Sequence, residues 1–357
     1  MAGLRKPILN GLFEDALTAS GWKALTLPPG GVFPARYQLS QGPQSVVARL
    51  YIWTITHGGG KKRSAKEFRI QLTDGGEYMT KIDPEPPDGR TLIMGWWPTA
   101  EVFAGFDYNY HKGPLGNSPS IQVGEDALRR AAEDGMAVHV RGNSEIVIAF
   151  RPEFMGTYIA QMDDLHKIGL SAKEIALLGR IAADPEAVSD AEIDAGTDAG
   201  TDKHRQRVMV DVRRAARSYK FSKRVLKAYK HRCAFCGVQL GLLDAAHILP
   251  VAHPDGVDRT SNGVAVCTLH HRAYDNGLIT FDEKFRVHLA EKRIADLEAK
   301  GRTGGLPEFK KALRPEILLP DAEADRPVPG IVREANKHRG WKLKAGPKAP
   351  SKTAKLI

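Results

Sequence analysis

Short apolar runs set the pattern of the first 150 residues. Val46–Ile55 (Val-Val-Ala-Arg-Leu-Tyr-Ile-Trp-Thr-Ile) is dense in β-branched and aromatic side chains and reads as a strand. Phe68–Thr73, Thr91–Trp97, Val102–Phe106, Ala137–Val140 and Ile146–Phe150 read the same way. Helical spacing is rarer. Glu125–Asp134 is predicted as a helix closed by Gly135, and Asn10–Ser20 as another with Asn10 as its N-cap. Strands outnumber helices, so residues 1–165 are expected to form a β-rich mixed domain with its own core.

Beyond this the pattern changes twice. Residues 184–202 hold seven acids and no base, with a near repeat of Asp-Ala-Gly-Thr. So little apolar content predicts a flexible acidic linker and the domain boundary. Residues 203–232 reverse the charge, with twelve Lys or Arg against one acid, Asp211. Apolar positions from Tyr219 to Tyr229 recur at helical spacing; those from Val208 to Ala215 fit helix or strand. One or two basic helices are expected, with Arg213, Arg214, Arg217, Lys223, Arg224 and Lys227 able to grip phosphates. The predicted organisation is therefore 1–165, a helix and linker over 166–203, a module over 204–290, and an extension over 291–357. The extension carries a charged helix near 290–300 and a Pro-rich stretch, with Trp341 placed to dock back on the module. Its last sixteen residues, rich in Lys, Pro and Ala, read as disordered.

The net charge of +10 matters because it is concentrated. A second basic site is the loop His57-Gly-Gly-Gly-Lys61-Lys62-Arg63-Ser, where glycines allow close approach to a nucleic-acid backbone and the three cations can meet phosphates. Aromatics recur at Tyr51, Trp53, Trp96, Trp97, Phe103, Phe106, Tyr108 and Tyr110. An aromatic cage can hold an unstacked base; the plainer reading is that these rings fill the sheet core. The N-terminus lacks the apolar core of a signal peptide and no run approaches a membrane span, so a soluble cytoplasmic protein is expected.

All three cysteines fall within one short stretch. They cannot build a disulfide framework, so their clustering points to metal in a reducing compartment. Cys233-x-x-Cys236 offers two thiolates from one tight knuckle, and Cys267-x-x-His270 offers two more donors at the same spacing. These four are assigned to a structural zinc, which needs four ligands. His271 and Asp275 are four apart on an apparent short helix ended by Asn276-Gly277, so they share a face and suit a divalent cation bound by nitrogen and oxygen. His271 leaves the helix about 100° around from His270, so the neighbours are expected to serve different metals. His247 ends an apolar run, Leu-Leu-Asp-Ala-Ala-His, and can take a proton from water. Asn262, before Gly263, can brace the loop between the two halves of the site.

Cys-x-x-Cys, Ala-Ala-His-Ile-x-Pro, Asn-Gly-Val-Ala-Val-Cys and His-His-x-x-Tyr-Asp-x-Gly-Leu-Ile together resemble the HNH, or ββα-metal, endonuclease family. The resemblance covers roughly residues 205–290. It implies that His247 is the general base, that Asn262 is the orienting asparagine, and that His271 and Asp275 bind the catalytic cation. Many members carry Asp or His just before the base, as a further ligand. Here that position is Ala246. Asp244, two residues earlier and on the same side of a strand, is expected to supply the missing carboxylate.

The resulting expectation is an α+β protein: a β-rich mixed N-terminal domain joined by an acidic linker to a small zinc-stabilised HNH nuclease domain. Its function would be cleavage of double-stranded DNA with one catalytic Mg²⁺, Mn²⁺ or Ni²⁺, in restriction or defence. The N-terminal domain would read the target, modified bases included. Alternatives are a zinc-stabilised DNA-binding protein whose HNH site is degenerate, kept open by Ala246, and a homing or nicking enzyme. Double-strand cutting by a single such site implies a homodimer or sequential nicking.

Overall fold

A computed structural model describes residues 3–28, 33–58, 66–87, 89–167, 171–197 and 203–343. The chain divides into two compact units, Met1–Tyr219 and Lys220–Ile357. No described helix is long and apolar enough to cross a membrane.

The first unit is built on a seven-stranded sheet ordered β1-β2-β3-β8-β9-β12-β11. These strands are β1 (Lys23–Thr26), β2 (Ala35–Gln41), β3 (Gln44–Thr54), β8 (Gly89–Trp97), β9 (Val102–Phe106), β11 (Met136–Val140) and β12 (Ile146–Phe150). Neighbours run antiparallel except β3 and β8, which are parallel in the register Leu50 to Leu92. A smaller sheet orders β10 (Ser120–Gly124), β5 (Glu67–Gln71) and β4 (Thr56–His57), and β6 (Thr73–Asp74) pairs with β7 (Glu77–Tyr78). The large sheet is covered on both faces, which is why its strands read as continuous apolar runs. Successive side chains of β3 go to opposite cores: Leu50 and Ile52 to one, Tyr51 and Trp53 to the other. The first core is closed by α1 (Lys6–Ala19), α3 (Met155–Leu165), α4 (Ala172–Ala183), α5 (Asp190–Gly196) and the first half of α6 (Lys203–Ala228). The second includes α2 (Glu125–Asp134) and the small sheet. Gly105 of β9 is needed here, since a β-carbon would lie 2.1 Å from the Tyr158 hydroxyl of α3.

Several expectations are corrected. Helix α1 begins four residues before Asn10, with Pro7 in its first turn; Asn10 is buried inside it and is not the cap. Tyr51, Trp53, Trp96, Trp97, Phe103 and Phe106 fill the two cores, and of the named rings only Tyr110 is well exposed. The acidic stretch is not all linker. Ser189 and Glu192 form a reciprocal capping box that starts α5, and Val188 and Ile193 are buried in the first core. Buried Pro185, Val188 and Ile193, the cap, and the pairs of Asp190 with Arg213 and Glu192 with Arg180 dock a segment whose composition reads as solvated. The division instead falls within α6, a single helix whose residues through Tyr219 belong to the first unit. Arg213, read as a phosphate contact, is buried: its guanidinium donates to the Val188 carbonyl (2.8 Å) and pairs with Asp190. Lys61, Lys62 and Arg63 lie outside the described residues, as does most of the Lys- and Pro-rich end, from residue 344.

The second unit is centred on a hairpin and a helix. Strand β13 (Leu243–His247) pairs antiparallel with β14 (Gly263–Cys267), in the register His247 to Gly263 and Asp244 to Val266, and α7 (Thr268–Asp275) follows at once. A second hairpin, β15 (Ile279–Phe281) with β16 (Val287–Leu289), leads to α8 (Glu291–Glu298), α9 (Leu306–Ala312) and α10 (Pro329–His338). The C-terminal extension belongs to this unit's core: Ile317, Val332 and Ala335 are buried with Phe235, Tyr274 and Phe281. Asn336 of α10 donates to the Phe281 carbonyl (2.8 Å) and accepts from Thr280 Oγ1 (2.5 Å). Trp341 donates its backbone N–H to the Asn336 carbonyl (2.8 Å).

Candidate active site and metal cluster

The knuckle at Cys233 is a tight turn, with Gly237 N–H donating to the Cys233 carbonyl (2.7 Å) and Gly237 at a φ of 81°. It is tied to β14, since Ala234 N–H donates to the Ala265 carbonyl (2.7 Å). This brings Cys233 and Cys236 beside Cys267, at the end of β14, and His270, in the first turn of α7. One ligand atom from each of the four lies within 4.8 Å of all the others. Cys236 and Cys267 sulfurs are 4.0 Å apart, and His270 Nδ1 is 3.6 Å from Cys233 Sγ and 3.2 Å from Cys267 Sγ. A zinc tetrahedron with bonds of about 2.3 Å to sulfur and about 2.0–2.1 Å to nitrogen has edges of roughly 3.5–3.8 Å, so the donor set fits one metal ion.

The electrostatics point the same way. Burial pushes all three thiols up, but the His270 ring and nearby backbone amides outweigh it at Cys233 and bring that thiol down to about 6. Cys236 goes the other way, pushed up to about 12 by burial and then by Cys233 beside it, and Cys267 is also raised. Three half-buried or buried sulfurs this close cannot all ionise without a cation to offset their repulsion.

His271, next in sequence to His270, faces another way. Its Nδ1 is 3.0 Å from Asp244 Oδ2 of β13 and its Nε2 is 3.3 Å from Asp275 Oδ2 at the end of α7. All three side chains are partly exposed, at 30%, 49% and 56% respectively. The structure thus gathers Asp244, His271 and Asp275 at one place, while Ala246 is buried in the core. The carboxylates sit on different nitrogens of the ring. His271 must release one of them to offer a lone pair to a cation, and among the described residues only the Cys₃His group has its ligand atoms already converged.

His247 ends β13, three residues from Asp244. Its Nε2 is 2.9 Å from Asp258 Oδ1, and its ring stacks on Phe221 of α6 with centroids 3.8 Å apart and planes 4° from parallel. The ring remains partly open, with 26% of the side chain exposed. Arg339, just past α10, donates to the carbonyls of Ile248 (2.6 Å) and His247 (3.3 Å) while its guanidinium lies 4.4 Å over the Tyr274 ring. Asn262 is fully buried, and its side chain spans the loop after β13: Oδ1 accepts from Leu249 N–H, and Nδ2 donates to the carbonyls of Leu249 and Val257, each at 2.9 Å. Gly263 leaves room for this arrangement, since a β-carbon there would lie 2.3 Å from Val225 and 3.0 Å from the Phe221 ring.

Sequence reasoning did not find Phe221, Asp258 or Arg339. Phe221 reads as one apolar residue of an amphipathic helix, Asp258 as loop polarity, and Arg339 lies 92 residues from the carbonyl it holds. Of the basic residues of α6, Lys223, Arg224 and Lys227 are exposed in its last turns, with Arg224 donating to the Asp258 carbonyl (2.6 Å). Arg214 is exposed and pairs with Asp211 (3.2 Å), and Arg217 is half-buried.

Comparison with known proteins gives two family matches. Residues 233–282 match the HNH endonuclease family, and residues 47–159 match the family described as methylase-associated X1. No curated protein matches the chain. Among solved structures, one described as a modification-dependent TagI restriction endonuclease aligns with 82% of this chain and 81% of its own, at 12% identity and a TM-score of 0.28. The chain carries an HNH endonuclease domain and is in that respect a nuclease.

Proposed function

We propose that the protein is a metal-dependent endonuclease that hydrolyses phosphodiester bonds in double-stranded DNA, of the restriction or defence kind, and that its N-terminal unit selects the target. The observation that carries this reading lies in the HNH segment: an open histidine, His247, shares strand β13 with Asp244, which meets His271 of α7, itself paired with Asp275. A phosphodiester needs a nucleophile, charge neutralisation at phosphate, and help for the leaving group. His247 takes the proton of the attacking water. Asp244, His271 and Asp275 would hold a divalent cation, which would supply charge neutralisation at the scissile phosphate and the leaving 3′ oxygen. The four-ligand cluster serves the fold, holding the knuckle, β14 and α7 together around a zinc ion.

Asp244 replaces the ligand that Ala246 cannot provide. Asp244→Asn is expected to weaken Mn²⁺ binding by calorimetry about tenfold or more, and to raise the Mn²⁺ concentration giving half-maximal cleavage in parallel. An unchanged titration would remove Asp244 from the cation site.

DNA affinity comes from exposed cations such as Lys227, and Arg213 serves the fold. Lys227→Ala should lower the slope of log affinity against log salt by about 1. Arg213→Ala should leave that slope alone and cost on the order of 1–3 kcal/mol of stability, because the buried Val188 carbonyl loses its donor. Thermal denaturation and salt titrations separate the two, and a changed salt slope in Arg213→Ala would restore it to the DNA surface.

The association with methylases in the N-terminal family's description makes base modification the substrate variable to test. Matched plasmids that are unmodified, 5-methylcytosine-containing or 5-hydroxymethylcytosine-containing should be cut unequally, the modified ones preferentially. Equal cutting of all three would retain the nuclease and discard modified-base reading.

A further inference from the structure

Neither of the two groups that hold the His247 ring belongs to the cysteine and histidine motifs: Phe221 precedes them on α6, and Asp258 lies on the loop between His247 and Asn262. Phe221 covers one face of the ring in a nearly parallel stack, and Asp258 takes one nitrogen at 2.9 Å. Asp258 is itself fixed. Its carbonyl accepts from Arg224 (2.6 Å), one turn along α6 from Phe221, and the preceding carbonyl, Val257, accepts from Asn262 Nδ2 (2.9 Å). The carboxylate therefore sits on a loop pinned from two sides and is only 20% exposed. An ionised carboxylate only accepts hydrogen bonds, so a hydrogen bond to it at Nε2 requires the proton on Nε2 and leaves the lone pair on Nδ1.

We propose that Asp258 is a positioning residue for the base: it holds His247 in the Nε2–H tautomer and orientation that present Nδ1 to the attacking water. This deepens the nuclease reading and rests on it. When water gives its proton to Nδ1, the hydroxide oxygen forms the new bond to phosphorus, and the bond to the 3′ oxygen breaks with its electron pair staying on that oxygen, which takes a proton from solvent. The imidazolium that results keeps its Nε2 proton shared with Asp258, and its charge is met by that carboxylate and the Phe221 π-face. Asn262 thereby gains a physical role. Its side-chain hydrogen bonds go to Leu249 and Val257; it ties these down and so places Asp258.

Asp258→Asn is the discriminating variant. Asparagine keeps the shape and can donate its amide to Nε2, which stabilises the opposite tautomer. The single-turnover cleavage rate on Mn²⁺-supplied plasmid should fall about 10²–10⁴-fold, with the DNA concentration for half-saturation unchanged. Asp258→Glu, which keeps the carboxylate, should recover part of the rate. Independently of activity, nitrogen-15 NMR of histidine-labelled full-length protein should show His247, assigned by its absence in His247→Ala, as Nε2–H in the wild type and shifted towards Nδ1–H in Asp258→Asn. A wild-type Nδ1–H tautomer, or an Asp258→Asn enzyme cutting at the wild-type rate, would overturn the proposal and leave the nuclease reading standing. A wild type that cuts no DNA while its His247 shows the Nε2–H tautomer would instead count against the nuclease reading.

Discussion

Replacing His247 by alanine is expected to abolish DNA cleavage and leave DNA binding intact. The loss should be about 10²–10⁴-fold or greater, the usual contribution of a positioned general base. The variant is clean on structural grounds. His247 holds its backbone place through the ladder with Gly263 and through Arg339, which reaches the His247 and Ile248 carbonyls, and none of these contacts needs the imidazole. The ring is already partly open to solvent, so its removal leaves no sealed cavity. The exposed cations of α6 lie on another element, so a gel-shift or anisotropy assay should report wild-type affinity. Retained cleavage would show that another group activates the water.

Replacing Cys236 by serine is expected to unfold the second unit. The cluster is the place where the knuckle, β14 and the start of α7 meet, and the residues inside the knuckle are structural as well. Phe235 packs against Tyr274 and Phe281, and the Ala234 and Phe235 carbonyls accept from Leu318 and Arg314 in the C-terminal extension. Losing one ligand releases the metal, and with it a binding free energy of about 10–16 kcal/mol for a structural zinc. A domain whose total stability is about 5–15 kcal/mol does not survive that loss. Zinc content measured by elemental analysis should fall from one ion per chain to near none, and limited proteolysis should degrade residues from 220 onward. A folded variant that keeps its zinc would show that Cys236 is not a ligand.

Much of the site was legible because short-range spacing carries its chemistry. Cys-x-x-Cys, Cys-x-x-His and the i, i+4 pair His271 and Asp275 each sit on one local element, where backbone geometry alone decides which side chains share a face. The pairing of Asp244 with His271 followed from strand parity, two residues from Ala246. The groups that hold His247 were not legible: Phe221, Asp258 and Arg339 reach it through a helix, a loop and a helix end that only tertiary packing brings together. In the first unit, strands buried on both faces stood out as apolar runs, whereas β1, largely exposed, and the half-buried β2 and β10 did not. The acidic stretch misled because composition averages over a segment. Docking of α5 depends on particular positions, among them Val188, Ile193, the Ser189 cap and Asp190.

Whether the His247 site hydrolyses DNA with a divalent cation is read from a time course on supercoiled plasmid, unmodified and 5-methylcytosine-containing, with and without Mn²⁺, for wild type and His247→Ala side by side. Nicked or linear product is expected only with Mn²⁺ and only from the wild type, while both proteins bind the plasmid equally. Cleavage without added cation after chelation, or equal cleavage by His247→Ala, would contradict it.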